Sequence, residues 1–451
     1  MKYLNKLLLL VLLFAGISGC DFLDPEPIDD PNSPSIEGVL ENASKAQLQN
    51  LVTGLELRHR ATTGANNIMS TFGREVYPLF ASDPRFINQW VGLGDNADAE
   101  NDPAFFGSGG TYTTPYRAVY QANVLIESAN NTQAITDQER NAYLGFAKTL
   151  QAYSYLIPLN TQYTNGIRID VDELGNLGDF LSYDQALTQI RALLDEAQTD
   201  LNAAGSSFPF VLTDGFDEFS TPADFINLNR AIAARAAIYD EAWGDAITAA
   251  EAAAPFFELA QGADVMNKGG YFVYGDPPDI FNPFFYVRNT TSTQLPTVHP
   301  SMITDAEAGD LRVQNKFFER DNPVTLQGLS SLYQDNRFSG TGDPFPFFRN
   351  EELILIYAEA KAQRNQGSDL SDAIDALNII RNTWGLSDFD DPLNPPTQAE
   401  VIDQMLFERR YSLWFEGGHR WVDMRRYDRL DEIPTDGGKI YNNLARPQSE
   451  L

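Results

Sequence analysis

The chain has 451 residues with 63 Asp and Glu against 32 Lys and Arg, a formal charge of −31. That excess argues against a nucleic-acid partner, because phosphate binding requires clustered cations. One cysteine excludes an intrachain disulfide, and three widely spaced histidines leave no recognisable metal motif.

The amino terminus reads as a secretory leader. Lys2 and Lys6 precede an apolar run from Leu7 to Ala15, and Ile17, Ser18 and Gly19 lead into Cys20. The run is too short to span a bilayer, which takes about 20 residues, and the small residues before the cysteine make a lipobox. Residues 1–19 are therefore expected to be a signal peptide and Cys20 the lipid-bearing residue, because several acyl chains anchor durably where one does not. Residues 20–35, acidic and proline-rich, read as a tether. Length alone suggests more than one domain, yet no linker interrupts the chain beyond the tether, so 36–451 is expected to be one domain.

Two segments are aromatic, glycine-rich and irregular. Tyr77 to Tyr116 carries Arg85, Trp90, Phe105, Phe106 and Tyr112; Gly269 to Arg288 carries Tyr271 and Tyr274. Long irregular loops in a helical protein are functional or disordered, and this aromatic content argues against disorder. Such rings suit the apolar C–H face of a sugar, and equally fill a core. Asp95, Asp98, Glu100 and Asp102 miss the calcium-loop spacing and read as a solvated acidic loop.

The remainder reads mostly helical, an all-α class: 116–130, 137–163, 183–204, 222–243 and 245–259, with short strand candidates only at 270–274 and 283–287. Ala231, Ala234 and Ala237 share a helix face, Trp243, Gly244 and Asp245 are expected to form a turn, and Ala246, Ala250 and Ala253 line the next helix. Small residues so spaced let helix pairs stack in the tetratricopeptide manner.

Near the carboxy terminus, Thr397 and Glu400 form a capping box that should start a helix through Phe415. Its apolar residues lie all round, so it should be buried. Glu408, Arg409, Arg410 and Glu416 within it, and Arg420, Asp423, Arg425 and Arg426 after the Gly417–Gly418 stop, should then be paired. No phosphate loop, nucleophile elbow or metal site is present, so no catalysis is expected and no cofactor is implied.

The Glu-Arg-Arg helix, the Glu416-Gly417-Gly418 turn and the run His419-Arg420-Trp421-Val422-Asp423-Met424-Arg425 resemble the end of the SusD/RagB family of bacterial outer-membrane lipoproteins, with one glycine more than the usual turn. Arg349 to Ala360, the stretch Asp372 to Gly385 with Asn378 and Arg381, Thr149 to Tyr163, and a shortened tail from Arg446 to Leu451 resemble further family segments. The resemblance implies a helical fold with tetratricopeptide-type pairs and a loop-rich ligand region. It also implies a lipoprotein of the outer membrane, facing the cell exterior, that captures oligosaccharide and hands it as a lid to a SusC-like TonB-dependent transporter. A peptide-binding RagB-like role and a protein-interaction scaffold are the alternatives. Trp90 lies where the family tends to place ligand contacts; Arg85, Phe105, Phe106, Tyr112, Tyr271 and Tyr274 are the further candidates.

Overall fold

The computed structural model describes residues 36–171, 177–391 and 393–450, so the leader, Cys20 and the tether lie outside the described residues. Eleven helices carry the architecture: α1 Lys45–Ala61, α2 Asn66–Phe72, α3 Thr113–Asn131, α4 Asp137–Gln162, α5 Tyr183–Ala203, α6 Pro222–Tyr239, α7 Trp243–Ala252, α8 Asn350–Arg364, α9 Asp369–Thr383, α10 Gln398–Ser412 and α11 His419–Arg426. Capping boxes at Ser44/Gln47, Thr136/Glu139, Ser182/Gln185 and Thr397/Glu400 start α1, α4, α5 and α10, satisfying amide groups that the first turn leaves free.

Chain neighbours pack in a row, α3 on α4, α4 on α5, α5 on α6, α6 on α7, and α7 on α8. The pairs resemble tetratricopeptide units, as expected. Gly145 shows how close they come: a Cβ there would lie 2.5 Å from Leu201 Cγ and 3.0 Å from the Ala197 carbonyl on α5. Ala231, Ala234, Ala237, Ala246, Ala250 and Ala253 are all buried. The turn between them is Asp240 to Ala242, with Glu241 at φ +53°, whereas Trp243 to Asp245, expected as the turn, open α7. That helix ends at Ala252 rather than near 259, short of Pro255, which cannot donate a helical hydrogen bond.

More strand is present than expected. A four-stranded antiparallel sheet runs β1–β3–β5–β4, from Val76–Phe80, Gln294–Val298, Leu329–Asp335 and Phe317–Leu326; β2, Gly269–Phe272, pairs with β6, Phe345–Arg349. Every residue of β1 is buried, so the alternation that marks a strand is missing. A two-residue Gln327–Gly328 turn, both at positive φ, joins β4 to β5. The expected strand 283–287 is irregular instead; its Phe284 is buried against Phe345 and Phe415.

Helix α10 is less buried than expected: Val401, Met405, Glu408, Arg409, Tyr411 and Ser412 are buried, but Asp403 is exposed and Ile402, Leu406 and Phe407 are half-buried, and the helix stops at Ser412. The chain then turns through Phe415, Gly417 and Gly418, all at positive φ, and a Cβ on Gly418 would lie 2.4 Å from Met69 Cβ. Asn66 pins the turn, donating to the Phe415 carbonyl at 2.9 Å and accepting from Gly417 N–H at 2.7 Å. Most of the flanking charges pair. Glu359, on α8, meets Arg409 at 2.8 Å and Arg426 at 2.7 Å, and Asp423 meets both at 3.1 Å. Glu408 binds Arg312 at 2.6 Å and Arg381 at 2.8 Å, while Arg349 joins Glu351 and Glu416 at 2.7 and 2.9 Å. Two arginines break the expectation. Arg425 donates to the carbonyls of Asn160 and Asn442, at 2.8 and 2.9 Å, and stacks 4.1 Å from the Tyr163 ring. Among the described residues Arg420 makes one long hydrogen bond, 3.4 Å to the Arg74 carbonyl.

Candidate functional site

Beyond β1 the chain leaves the sheet at Asp83, which holds the Arg85 guanidinium at 2.6 Å and its backbone N–H at 2.9 Å. A π-helical turn, Phe86–Val91, comes next and closes at Gly92 in the left-handed region, where a Cβ would sit 2.5 Å from the Lys439 nitrogen. Such turns are rare and concentrate at functional sites. This one aims Phe86 and Trp90 at the same spot.

The result is a three-ring cluster. Phe86 stands edge-on to Phe106, centroids 4.9 Å apart, and to Trp90 at 4.8 Å; Trp90 lies nearly parallel to Phe106 at 5.9 Å. Trp90 itself is only 6% exposed, and its indole N–H donates to the Phe106 carbonyl at 2.8 Å. Gln89 accepts from the Phe106 N–H at 2.7 Å. Trp90 is thus a support rather than a surface; the rings within reach of solvent are Phe86 and Phe106, both half-buried. Arg85, exposed, lies 4.2 Å over the Phe106 ring, an attractive cation–π placement.

The structure therefore brings Arg85, Trp90 and Phe106 together and turns Phe105 inward, 2% exposed, onto Phe72 and Tyr441. Tyr112 is buried beside Tyr116, 4.6 Å away. Tyr274 is buried near the Arg60 guanidinium, which is held by Asp279 at 2.6 Å. Tyr271, half-buried on β2, lines a separate groove of about 570 Å³ with Phe338, Pro344, Pro346, Arg337 and Trp384. Sequence reasoning named only Tyr271 there. Its other walls come from four distant parts of the chain, and no local pattern joins them.

The acidic loop serves its own backbone. Asp98 accepts from Asn101 N–H at 3.2 Å and Asp102 from Ala104 N–H at 2.9 Å, while Glu100 accepts from Asn442 N–H at 2.7 Å. That last bond belongs to a wider clasp. Lys439 N–H donates to the Val91 carbonyl at 3.1 Å, Tyr441 Oη to the Gln89 carbonyl at 2.9 Å, and Ala445 N–H to the Ala99 carbonyl at 2.6 Å. A Cβ on Gly438 would collide with the Val91 carbonyl at 2.0 Å, so the tail lies flush against the aromatic loop.

Residues 324–447 match the sequence model of the SusD family. No curated protein sequence matches the chain. Among solved structures, NanU of B. fragilis is 14% identical and superposes at a TM-score of 0.66 over 94% of this chain and 97% of its own. A SusD superfamily protein of Bacteroides vulgatus gives 0.67 at 14% identity over 90% and 96%. Surface glycan-binding protein A of Bacteroides thetaiotaomicron, solved with laminarihexaose, gives 0.62 at 13% over 88% and 97%. Likenesses at this identity establish the fold.

Proposed function

We propose that this chain, a member of the SusD family, is a lipid-anchored protein of the outer-membrane surface that captures oligosaccharide and delivers it to a SusC-like TonB-dependent transporter. In this reading it acts as a lid and breaks no bond, and Cys20 bears the anchor. The reading rests on one observation above all, the half-exposed Phe86–Phe106 pair with Arg85 above it and Trp90 beneath. A pyranose that displaces the Arg85 guanidinium from over Phe106 can stack its C–H face on that ring, with Arg85 and Asp83 beside it to bond its hydroxyls. Trp90 keeps the platform in place by holding the Phe106 carbonyl, so the rings need no reordering when ligand arrives. The relative solved with laminarihexaose shows that this fold can present a glycan site.

The test is a glycan and peptide array screen of the protein lacking residues 1–20, followed by calorimetry on any hit. The expected result is a glycan ligand whose dissociation constant rises at least tenfold in Phe106→Ala, about 1.4 kcal/mol, with melting lowered less than in Trp90→Ala. Trp90→Ala should differ, because truncating a buried aromatic costs roughly 3–5 kcal/mol of stability. A peptide hit alone would favour the RagB-like role. Glycan binding untouched by Phe106→Ala would remove the platform from the site.

A further inference from the structure

Among the charges around the carboxy-terminal turn, Arg420 stands apart: it has no ion pair among the described residues, only the 3.4 Å bond to the Arg74 carbonyl. It lines a cleft of about 290 Å³ between α10 and α11, together with Arg410, Phe407, Met424 and Arg429. Every carboxylate lining that cleft is already paired with an arginine other than Arg420. Asp305 holds Arg410 at 3.0 Å, Asp403 and Glu432 hold Arg429 at 2.5 and 2.7 Å, and Asp423 holds Arg409 and Arg426. Arg410 is held by Asp305 and by the Ser301 hydroxyl at 2.6 Å, and its buried Nε has no partner among the described residues.

The nearby Glu75 is a weak counter-charge. Its burial pushes the carboxyl up to about 7, and one of its oxygens accepts from Phe415 N–H at 3.2 Å. Burial, and then the charge of Arg410, pull Arg420 down to about 9, against the opposing pull of Glu75 and Asp305. Desolvating a guanidinium without a partner is unfavourable, and a planar fork of donors is matched by a carboxylate or sulfate.

We propose that Arg420, with Arg410 beside it, seats an oxyanion, a carboxylate or sulfate group that enters the cleft between α10 and α11. The cleft is larger than a bare inorganic anion, so it has room for a sugar-sized body carrying the group. The site is separate from the aromatic platform and does not depend on what binds there.

Calorimetry on the protein lacking residues 1–20, with sodium sulfate and sodium glucuronate against sodium chloride at equal ionic strength, tests it. Saturable binding of sulfate or glucuronate is expected, with tighter glucuronate pointing to an acidic sugar and tighter sulfate to a free inorganic anion. Arg420→Gln should weaken binding at least tenfold. Met424→Glu, one helical turn beyond Arg420 on α11, supplies an internal carboxylate at i+4 and should block binding while the fold is kept. Absence of saturable binding, or its retention in either variant once that variant is shown to fold, would overturn the proposal.

Discussion

Replacing Glu359 by Gln isolates the centre of the buried charge network. Glu359 is wholly buried and accepts from Arg409, Arg426 and the Tyr427 hydroxyl, at 2.8, 2.7 and 2.8 Å. Glutamine fits the space but offers one acceptor oxygen and points an NH₂ group at a guanidinium. Asp423 would then be left to neutralise two arginines. Removing one partner of a buried pair costs roughly 3–5 kcal/mol. The titration of the group gives a similar figure. Desolvation by burial raises the carboxyl, but Arg426 and Arg409 outweigh it and bring it from an ordinary 4.5 to about 2, worth about 3 kcal/mol at neutral pH. Because the carboxyl is held below its unfolded value, its stabilisation is complete above about pH 4.5 and fades as pH falls towards 2. Urea denaturation at pH 7 should show the variant about 3 kcal/mol less stable, with a melting point lower by about 3 °C for a domain this large. The gap between the two proteins should narrow from pH 5 to pH 3. A loss below about 1 kcal/mol at pH 7, or a gap that ignores pH, would refute the assignment.

Glu75→Gln should behave in the opposite sense: with its carboxyl raised to about 7, the wild type loses stability as pH climbs from about 4.5 to 7, so the variant should gain on it across that window by up to about 3 kcal/mol in melting experiments. Gly145→Ala should cost about 1–2 kcal/mol by urea denaturation, because overpacking against Leu201 outweighs the better helix propensity. Gly244→Ala on α7, where a Cβ meets nothing within 4 Å, should be neutral or stabilising and serves as its control.

The features legible in the sequence are local ones. Helix starts are marked by Ser or Thr three residues before Glu or Gln, and α10 reads as buried, more fully than it is, because apolar residues surround it. Pairing of its charges is a consequence of that burial, and Arg409 and Glu408 behave accordingly. Arg420 and Arg425 do not, because a guanidinium can also be satisfied by carbonyls and rings, or left facing a cleft, and one dimension does not distinguish these. The sheet is hidden from such reading because β1 is buried on both faces and β4 is polar and interrupted by a bulge. Trp90 is recognisable as part of an aromatic loop, but its depth is set by Phe106 and Gly107 folding over it, a long-range event that composition does not register.

The clasp between the tail and the aromatic loop bears on when the protein becomes competent. Residues 89–100 lie in the first quarter of the chain, yet their carbonyls wait for amides and a hydroxyl from residues 439–445. A chain emerging from the ribosome or crossing a membrane amino-terminus first can stack α3 to α7 early, since those contacts are between neighbours. The aromatic loop gains these hydrogen bonds only once residues 439–445 are present. On the proposed reading that this loop is the ligand platform, a chain without residues 439–445 would carry the stacked helices but not the clasp that fixes the platform.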